Sequence, residues 1–117
     1  MTVMDYKGHI VGMVGGLGKK SKNLGFNRAT SAVRQPGSTM KPMSAYAPAI
    51  ENNLITYSTI VNDKETYYGK WKPNNWYSDK YRGQITIEYA LRISANTIPV
   101  MLVDQLTTQS SYTFLIE

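Results

Sequence analysis

The sequence contains no cysteine and only one histidine, His9. Without cysteine the chain can form neither a disulfide framework nor a thiolate nucleophile. One histidine is too few for the clusters of side chains that usually hold zinc or iron. We therefore expect no metal site and no cofactor.

Long hydrophobic runs are also missing from the sequence. No stretch approaches the roughly 18 apolar residues of a membrane-spanning helix, and the N-terminus lacks the basic-then-apolar order of a signal peptide. If the protein is exported, we expect its signal and membrane anchor to lie outside this chain. The 117 residues, 42% of them hydrophobic, suit one small globular domain and are too few for two independent cores.

Acidic residues are in the minority, with 8 Asp and Glu against 13 Lys and Arg, and the resulting charge of +5 favours anionic neighbours. The basic residues are densest in GKKSKN, residues 18–23, where glycine, serine and asparagine indicate a solvated loop. A nucleic-acid adaptor is an interpretation that rests on this charge alone. We expect no nucleic-acid partner.

Two short apolar-rich runs, 1–6 and 9–15, open the chain and are separated by Lys7-Gly8, a pair that can turn it. This pattern predicts a β-hairpin. Closely spaced glycines then interrupt regular structure, and the residues up to 37 show no clear periodicity. We interpret them as a long connection.

Apolar residues spaced by three and four predict a helix over residues 38–51. The residues with this spacing are Met40, Met43, Ala47 and Ile50. Pro42 is tolerated in the first turn, where few N–H groups have an intrahelical acceptor. Pro48 lies further along and is expected to bend the helix.

Residues 54–84 are rich in Tyr, Trp, Asn, Lys and Gly and follow the period of neither a strand nor a helix, so we expect an irregular segment. Two helices are predicted to follow it. The first has Thr86 as its cap, and the second has Asn96 or Thr97 as its cap with Pro99 in its first turn. Their apolar faces would be formed by Ile87, Ala90 and Leu91, and by Val100, Val103 and Leu106.

Ser38 and Lys41 form an S-x-x-K pair at the start of the predicted helix, within VRQPGSTMKP. Residues three apart share a helix face, so we expect the Lys41 amine within or near hydrogen-bond reach of the Ser38 hydroxyl. Serine is a weak nucleophile until a base takes its proton, and lysine can do so when burial lowers its pKa. The helix N-terminus adds N–H groups for a developing oxyanion. The alternative is a helix cap followed by a solvated lysine.

A second polar motif, Ser94-Ala95-Asn96, lies in the joint between the two later helices. Its hydroxyl can relay a proton, and its amide can both donate to and accept from a peptide group. The combination of S-x-x-K with S-D-N and K-T-G is the signature of penicillin-binding proteins and class A β-lactamases. Here Ala95 stands in place of the aspartate. The alternative role of Ser94 and Asn96 is helix capping.

With its flanks, the sequence resembles the transpeptidase domain of the bifunctional, class A penicillin-binding proteins. The matching stretches are FNRATSAVRQPGSTMKP, YRGQITIEYALRISANTIPV and the opening MTVMDYKGHIVGMVGG, which together cover nearly the whole chain. The resemblance implies an α/β (α+β) fold of the β-lactamase/transpeptidase type, with an N-terminal β-hairpin and a helical region that carries both motifs. Residues 1–117 would form the N-terminal part of that domain.

The resemblance also implies a reaction. In the family, the S-x-x-K serine attacks the penultimate D-alanine carbonyl of a peptidoglycan stem peptide, releases the terminal D-alanine and passes the acyl group to an amine of a neighbouring stem. Penicillins acylate the same serine. The expected partners are stem peptides ending in D-Ala-D-Ala, β-lactam antibiotics and the rest of the same domain, at the extracytoplasmic face of the bacterial membrane.

Carried over residue by residue, the resemblance assigns a role to each polar group. Ser38 is the nucleophile and Lys41 its proton acceptor. Ser94 relays the proton towards the leaving group, and Asn96 holds both the substrate backbone and the Lys41 side chain. Gly37 and Ser38 complete the substrate-binding set, because a glycine lets another backbone approach closely.

The third family motif, K-[ST]-G, is missing from the sequence, since GKK at 18–20 has the wrong order and place. Two alternatives to the transpeptidase therefore stay open. One is a β-lactamase-related serine hydrolase, which Ala95 disfavours. The other is a non-catalytic cell-wall module whose exposed aromatic residues bind glycan or peptide. Those aromatic residues are Tyr67, Tyr68, Trp71, Trp76 and Tyr77, and packing against the remainder of the domain is their other explanation.

We expect the isolated 117-residue chain to be acylated slowly by a labelled penicillin. In the family, the third-motif strand supplies the second oxyanion donor, and losing one such donor costs on the order of 10²–10³ in rate. Intact-mass measurement over time, with Ser38→Ala as the control, checks this. Rapid stoichiometric acylation of Ser38 would contradict it.

Overall fold

A computed structural model describes residues 1–19, 22–23, 25–77 and 80–116. Two residues of the basic loop, Lys20 and Ser21, lie outside the described residues, as do Leu24, Ser78, Asp79 and Glu117. The chain divides into two compact units, Met1–Gln35 and Pro36–Glu117. Every residue that the sequence assigns to the candidate site belongs to the second unit.

The first unit begins with the predicted β-hairpin. Strands β1 (Thr2–Met4) and β2 (Ile10–Met13) pair in antiparallel register, with a bulge between Val3 and Met4. The Asp5 carboxylate closes the turn by accepting the N–H groups of Lys7 and His9, each at 2.9 Å. Gly8 takes the left-handed conformation, with φ 86°, that a residue with a side chain would adopt only at a cost. The prediction of a hairpin is confirmed.

The second unit begins with a helical segment over residues 37–51, which confirms the predicted extent. It is not a uniform α-helix. A 3₁₀ turn (Gly37–Met40) leads into a π-helical turn (Pro42–Tyr46) and then into α1 (Ala47–Glu51). Pro48 has no N–H to offer the Ser44 carbonyl four residues earlier, and the Ser111 hydroxyl donates to that carbonyl instead, at 2.5 Å.

The buried face of this segment differs from the predicted one. Met43 and Ile50 are about half exposed, at 49% and 51%, whereas Ala45, Tyr46 and Ala49 are buried. The prediction assumed 3.6 residues per turn throughout, whereas the 3₁₀ turn contains fewer and the π-helical turn more, so residues within and beyond these turns leave the expected stripe. Two alanines and a tyrosine therefore lie on the buried face.

Two short strands lie where the sequence predicted an irregular segment. Strand β3 (Ile60–Asp63) pairs antiparallel with β4 (Gly83–Thr86), and Asp63 lies opposite Gly83. The prediction for 54–84 was therefore wrong at these two places. The strands are four residues long and far apart in sequence, so no hairpin turn signals their pairing.

Three helices complete the second unit: α2 (Ile87–Arg92), α3 (Thr97–Leu106) and α4 (Thr108–Ile116). The predicted cap of α2 is confirmed, because Thr86 Oγ1 accepts the Tyr89 N–H at 3.2 Å. The predicted inner face of α3 was only partly correct. Leu106 is buried as expected, but Ile98 and Leu102 accompany it, while Val100 and Val103 are only partly buried.

The core of the second unit lies where the segment 37–51, α2 and α3 meet. Its buried apolar residues are Ala45, Tyr46, Ala49, Ile55, Ile87, Ala90, Ala95, Ile98, Leu102 and Leu106. Two small antiparallel sheets and several helices make a mixed α/β structure, which confirms the predicted fold class. Among the described residues, none of the helices combines the length and the apolar character needed to cross a bilayer.

Leu102→Ala tests this core, because the Leu102 side chain is fully buried in it. We expect a loss of about 2–5 kcal/mol in the free energy of unfolding, from lost burial and the cavity left behind. Leu91→Ala is the matched control, since Leu91 is 40% exposed, and should cost about 1 kcal/mol at most. Denaturant unfolding measures both, and equal losses would contradict the assignment of Leu102 to the core.

Candidate functional site

Lys41 connects the two sequence motifs. Its side chain is partly buried, and Nζ donates to Ser94 O at 2.9 Å, to Ser94 Oγ at 3.1 Å and to Asn96 Oδ1 at 2.5 Å. These partners lie 53 and 55 residues away in sequence. An ammonium group has three N–H donors, so three oxygen acceptors satisfy it completely. Lys41, Ser94 and Asn96 therefore form one hydrogen-bonded cluster.

Ser94 contributes both its carbonyl and its hydroxyl because of the way α2 ends. The Ser94 N–H donates to Leu91 O and the Ala95 N–H to Ala90 O, each at 3.0 Å. This is the Schellman pattern, in which the residue after the cap adopts a left-handed conformation. Ser94 does so, with φ 53°, where glycine is the usual residue. The turn aims both oxygens of Ser94 at Lys41.

Asn96 precedes α3, but its side chain forms no capping hydrogen bond with that helix. Its amide is used elsewhere: Oδ1 accepts from Lys41 Nζ, and Nδ2 donates to Asn74 O at 2.6 Å. The Asn96 backbone N–H donates to Asn75 Oδ1 at 2.7 Å. The capping alternative considered for Asn96 is therefore wrong. One Nδ2–H remains for another acceptor.

The electrostatic environment of Lys41 is built from neutral oxygens. Among the described residues, no carboxylate forms an ion pair with its ammonium. Burial lowers the pKa of Lys41 from its ordinary value, because desolvation penalises the charged form. The cluster thus holds a lysine that gives up its proton more readily than a solvated one.

Ser38 lies three residues before Lys41 in the same helical segment, and the Lys41 backbone N–H donates to its carbonyl. The Ser38 side chain is exposed, and its hydroxyl forms no hydrogen bond within the described part of the chain. Close approach of Ser38 Oγ to Lys41 Nζ stays a prediction. Gly37 adopts the left-handed conformation, with φ 57°, and nothing lies within 4 Å of the place where a side chain would begin.

A cleft of about 440 Å³ borders Lys41 and Asn96. Its walls are mostly apolar and include Trp71, Pro73 and Val103. An apolar pocket with a few convergent polar groups is typical of a binding site for a small molecule or a short peptide. The polar cluster at Lys41 therefore lies beside an apolar cleft, whose lining includes Lys41 and Asn96 and does not include Ser38 or Ser94.

Three residues near the cluster were not identified from the sequence: Asp63, Asn74 and Asn75. Asn74 and Asn75 hold Asn96, and Asn75 Nδ2 donates to Asp63 Oδ1 at 2.9 Å. All three fall within the stretch predicted to be irregular. Their role depends on contacts between distant residues, and no local spacing or periodicity signals it.

Comparison with known proteins gives a consistent result. The family model for the penicillin-binding protein transpeptidase domain matches residues 1–115. Penicillin-binding protein 1A of Clostridium tetani is 37% identical over 91% of this chain and 14% of its own length. Penicillin-binding protein 1F of Bacillus subtilis is 33% identical over 92% and 15%, and penicillin-binding protein 1A of Aquifex aeolicus 38% over 90% and 15%. The chain spans less than a fifth of each of these relatives.

The left-handed backbone at Ser94 predicts a difference between two substitutions that both remove its hydroxyl. Ser94→Gly should be more stable than Ser94→Ala by about 1 kcal/mol, because alanine keeps the steric cost of a positive φ and glycine does not. Denaturant unfolding of the two variants checks this. Equal unfolding free energies would mean that the turn after α2 does not need this conformation.

Proposed function

The chain belongs to the penicillin-binding protein transpeptidase family, and from this premise we propose that it forms part of a D,D-transpeptidase that cross-links peptidoglycan stem peptides. The observation that carries the proposal is the contact of Lys41 Nζ with both Ser94 and Asn96. In the complete protein, stem peptides ending in D-Ala-D-Ala are the substrates and β-lactams react at the same serine. The reaction takes place at the extracytoplasmic face of the membrane.

The first chemical step is acylation of Ser38. Its Oγ forms a bond to the carbonyl carbon of the penultimate D-alanine, and the peptide bond to the terminal D-alanine breaks. The Ser38 proton passes to Lys41, and Ser94 Oγ, 3.1 Å from Lys41 Nζ, returns a proton to the departing amine. The backbone N–H of Ser38 lies in the first turn of its helical segment, where N–H groups lack intrahelical acceptors, and would donate to the oxyanion.

Lys41 acts as a base only in its neutral form. Burial, which lowers its pKa, raises the fraction of that form at a given pH. The neutral amine keeps two N–H donors for the oxygens of Ser94 and Asn96 and gains a lone pair that can accept from Ser38. The second Asn96 Nδ2–H is available to the carbonyl of a bound peptide.

The second step regenerates the serine. An amine of a neighbouring stem peptide attacks the acyl carbon, the bond to Ser38 Oγ breaks, and the amine proton returns to Oγ by the same groups in reverse. The atoms balance, with one peptide bond broken and one formed. No further reactant is required.

A non-catalytic cell-wall module is the second candidate. It is supported by the exposure of Tyr67, Trp71 and Trp76, whose rings could stack on sugars. Tyr77 weakens it, because its hydroxyl donates to Asp63 at 2.7 Å and so serves the structure of the loop. This candidate leaves the lysine cluster without a role.

Labelling with a fluorescent penicillin tests the nucleophile in the full-length protein that contains this chain. We expect a covalent adduct at Ser38, located by peptide mass spectrometry and lost in Ser38→Ala. Ser58→Ala, which removes another exposed hydroxyl, should be labelled normally. Lys41→Met should slow labelling by on the order of 10²–10⁴, the usual contribution of a general base. Undiminished labelling of Ser38→Ala would contradict the proposal, and glycan binding without any adduct would favour the second candidate.

A further inference from the structure

We propose that Asp63 is a positioning residue for this site: through Asn75, it holds Asn96 in the orientation that directs its amide oxygen at Lys41. The proposal deepens the function proposed above, and its chemical consequence rests on that function. Asp63 lies at the end of β3, outside both sequence motifs.

Asp63 is a carboxylate fully buried among hydrogen-bond donors. Its relative exposure is 0%. Oδ1 accepts from Thr97 Oγ1 at 2.6 Å and from Asn75 Nδ2 at 2.9 Å, while Oδ2 accepts from Tyr77 OH at 2.7 Å and from the Arg82 N–H at 2.9 Å. No cation forms an ion pair with it in the part of the chain that the structure describes. Burial alone would raise its pKa, but the four donors outweigh burial and lower it.

Along the hydrogen bonds that lead from Asp63 to Lys41, each bond determines which group donates and which accepts in the next one. An ionised carboxylate can only accept, so Asn75 must present Nδ2 to Asp63 and Oδ1 to the other side. That Oδ1 accepts the backbone N–H groups of Asn96 and Thr97, at 2.7 and 3.4 Å. A backbone N–H can only donate, so a flipped Asn75 amide would lose its partners on both sides at once.

Asn96 is fixed by the segment that Asn75 holds in place. Its Nδ2 donates to the carbonyl of Asn74, the neighbour of Asn75, and its Oδ1 therefore faces Lys41 Nζ. A carbonyl can only accept and an ammonium can only donate. Asn96 is thus anchored through both its backbone and its side chain to residues 74–75, which in turn are anchored to Asp63.

Because each of these contacts has a fixed polarity, exchanging the side chains at 63 and 75 tests the proposal. Asn75→Asp places a second carboxyl group against Asp63 Oδ1. At an alkaline pH, where both groups are ionised and lysine acetylation is run, the two repel and residues 74–75 shift away from Asn96. Adding Asp63→Asn reverses the pair. The new amide can donate to the carboxylate at 75 and to Thr97 Oγ1, whose hydroxyl then accepts instead of donating, and its oxygen can accept from the Arg82 N–H, while the carboxylate at 75 still accepts from the Asn96 N–H. The double variant has the same net charge as the wild type and should restore the geometry.

Chemical reactivity of Lys41 reports this geometry without requiring catalysis. We would acetylate the full-length protein with limiting acetic anhydride and quantify Lys41 by peptide mass spectrometry, with the exposed Lys7 as internal standard. Asn75→Asp should raise Lys41 reactivity by on the order of tenfold, as expected when a hydrogen bond to a charged group is lost. The double variant should return to the wild-type value.

Tyr77→Phe is the control for general destabilisation, because it removes a donor from Asp63 Oδ2 and leaves Asn75 untouched. It should leave Lys41 reactivity unchanged. If Asn75→Asp unfolds the protein, which circular dichroism would reveal, the double variant must recover both fold and low reactivity. A double variant as reactive as Asn75→Asp, or an equal rise in Tyr77→Phe, would overturn the proposal.

Acylation kinetics separate this inference from the proposed function. The rate of Ser38 labelling by penicillin should fall in Asn75→Asp and recover in the double variant, in step with the change in Lys41. If wild-type Ser38 is not labelled, the proposed function fails, while the lysine reactivities still decide whether Asp63 positions Asn96.

Discussion

The described structure depends on one partly buried ammonium group held by three neutral oxygens. Lys41 stands in the first helical segment, and its acceptors lie in the joint between α2 and α3. A buried charge without partners is costly, so these contacts fix how the segment 37–51 and the joint are placed against each other. Ala45 and Ala49 of this segment and Ala95 of the joint are buried in the core, and their small side chains allow close approach.

The joint between α2 and α3 combines two local structures that favour different residue types. The Schellman turn after α2 would normally use glycine, and the start of α3 would normally use a capping side chain. Here Ser94 adopts a left-handed backbone conformation although it is not glycine, and the Asn96 side chain does not cap α3. Departures of this kind are typical of functional sites, where strain persists because the surrounding structure fixes it. In this chain both departures deliver an oxygen to Lys41.

Local features of the fold could be predicted from the sequence and distant ones could not. The hairpin and the Thr86 cap depend on neighbouring residues, and both were predicted. Helix α4 was not, because its buried residue is Ser111, while Leu115 and Ile116 are exposed, which reverses the usual hydrophobic pattern. The residues of S-x-x-K and S-x-N could be identified because they form recognisable sequence motifs. Asp63 belongs to no motif, and its four donors are spread from residue 75 to 97.

Lys41 lowers the free energy of unfolding at neutral pH, because burial partly removes its ammonium group from water. Because burial lowers its folded-state pKa, the unfolded chain holds the proton more tightly than the folded one. This loss of stability is present in full below the lowered pKa of Lys41. It disappears as the pH rises from that pKa to the ordinary pKa of lysine. Asp63 acts in the opposite direction, since its lowered pKa stabilises the fold until the pH falls through that value. The carboxylate network that orients Asn96 therefore offsets part of the cost of burying the lysine beside it.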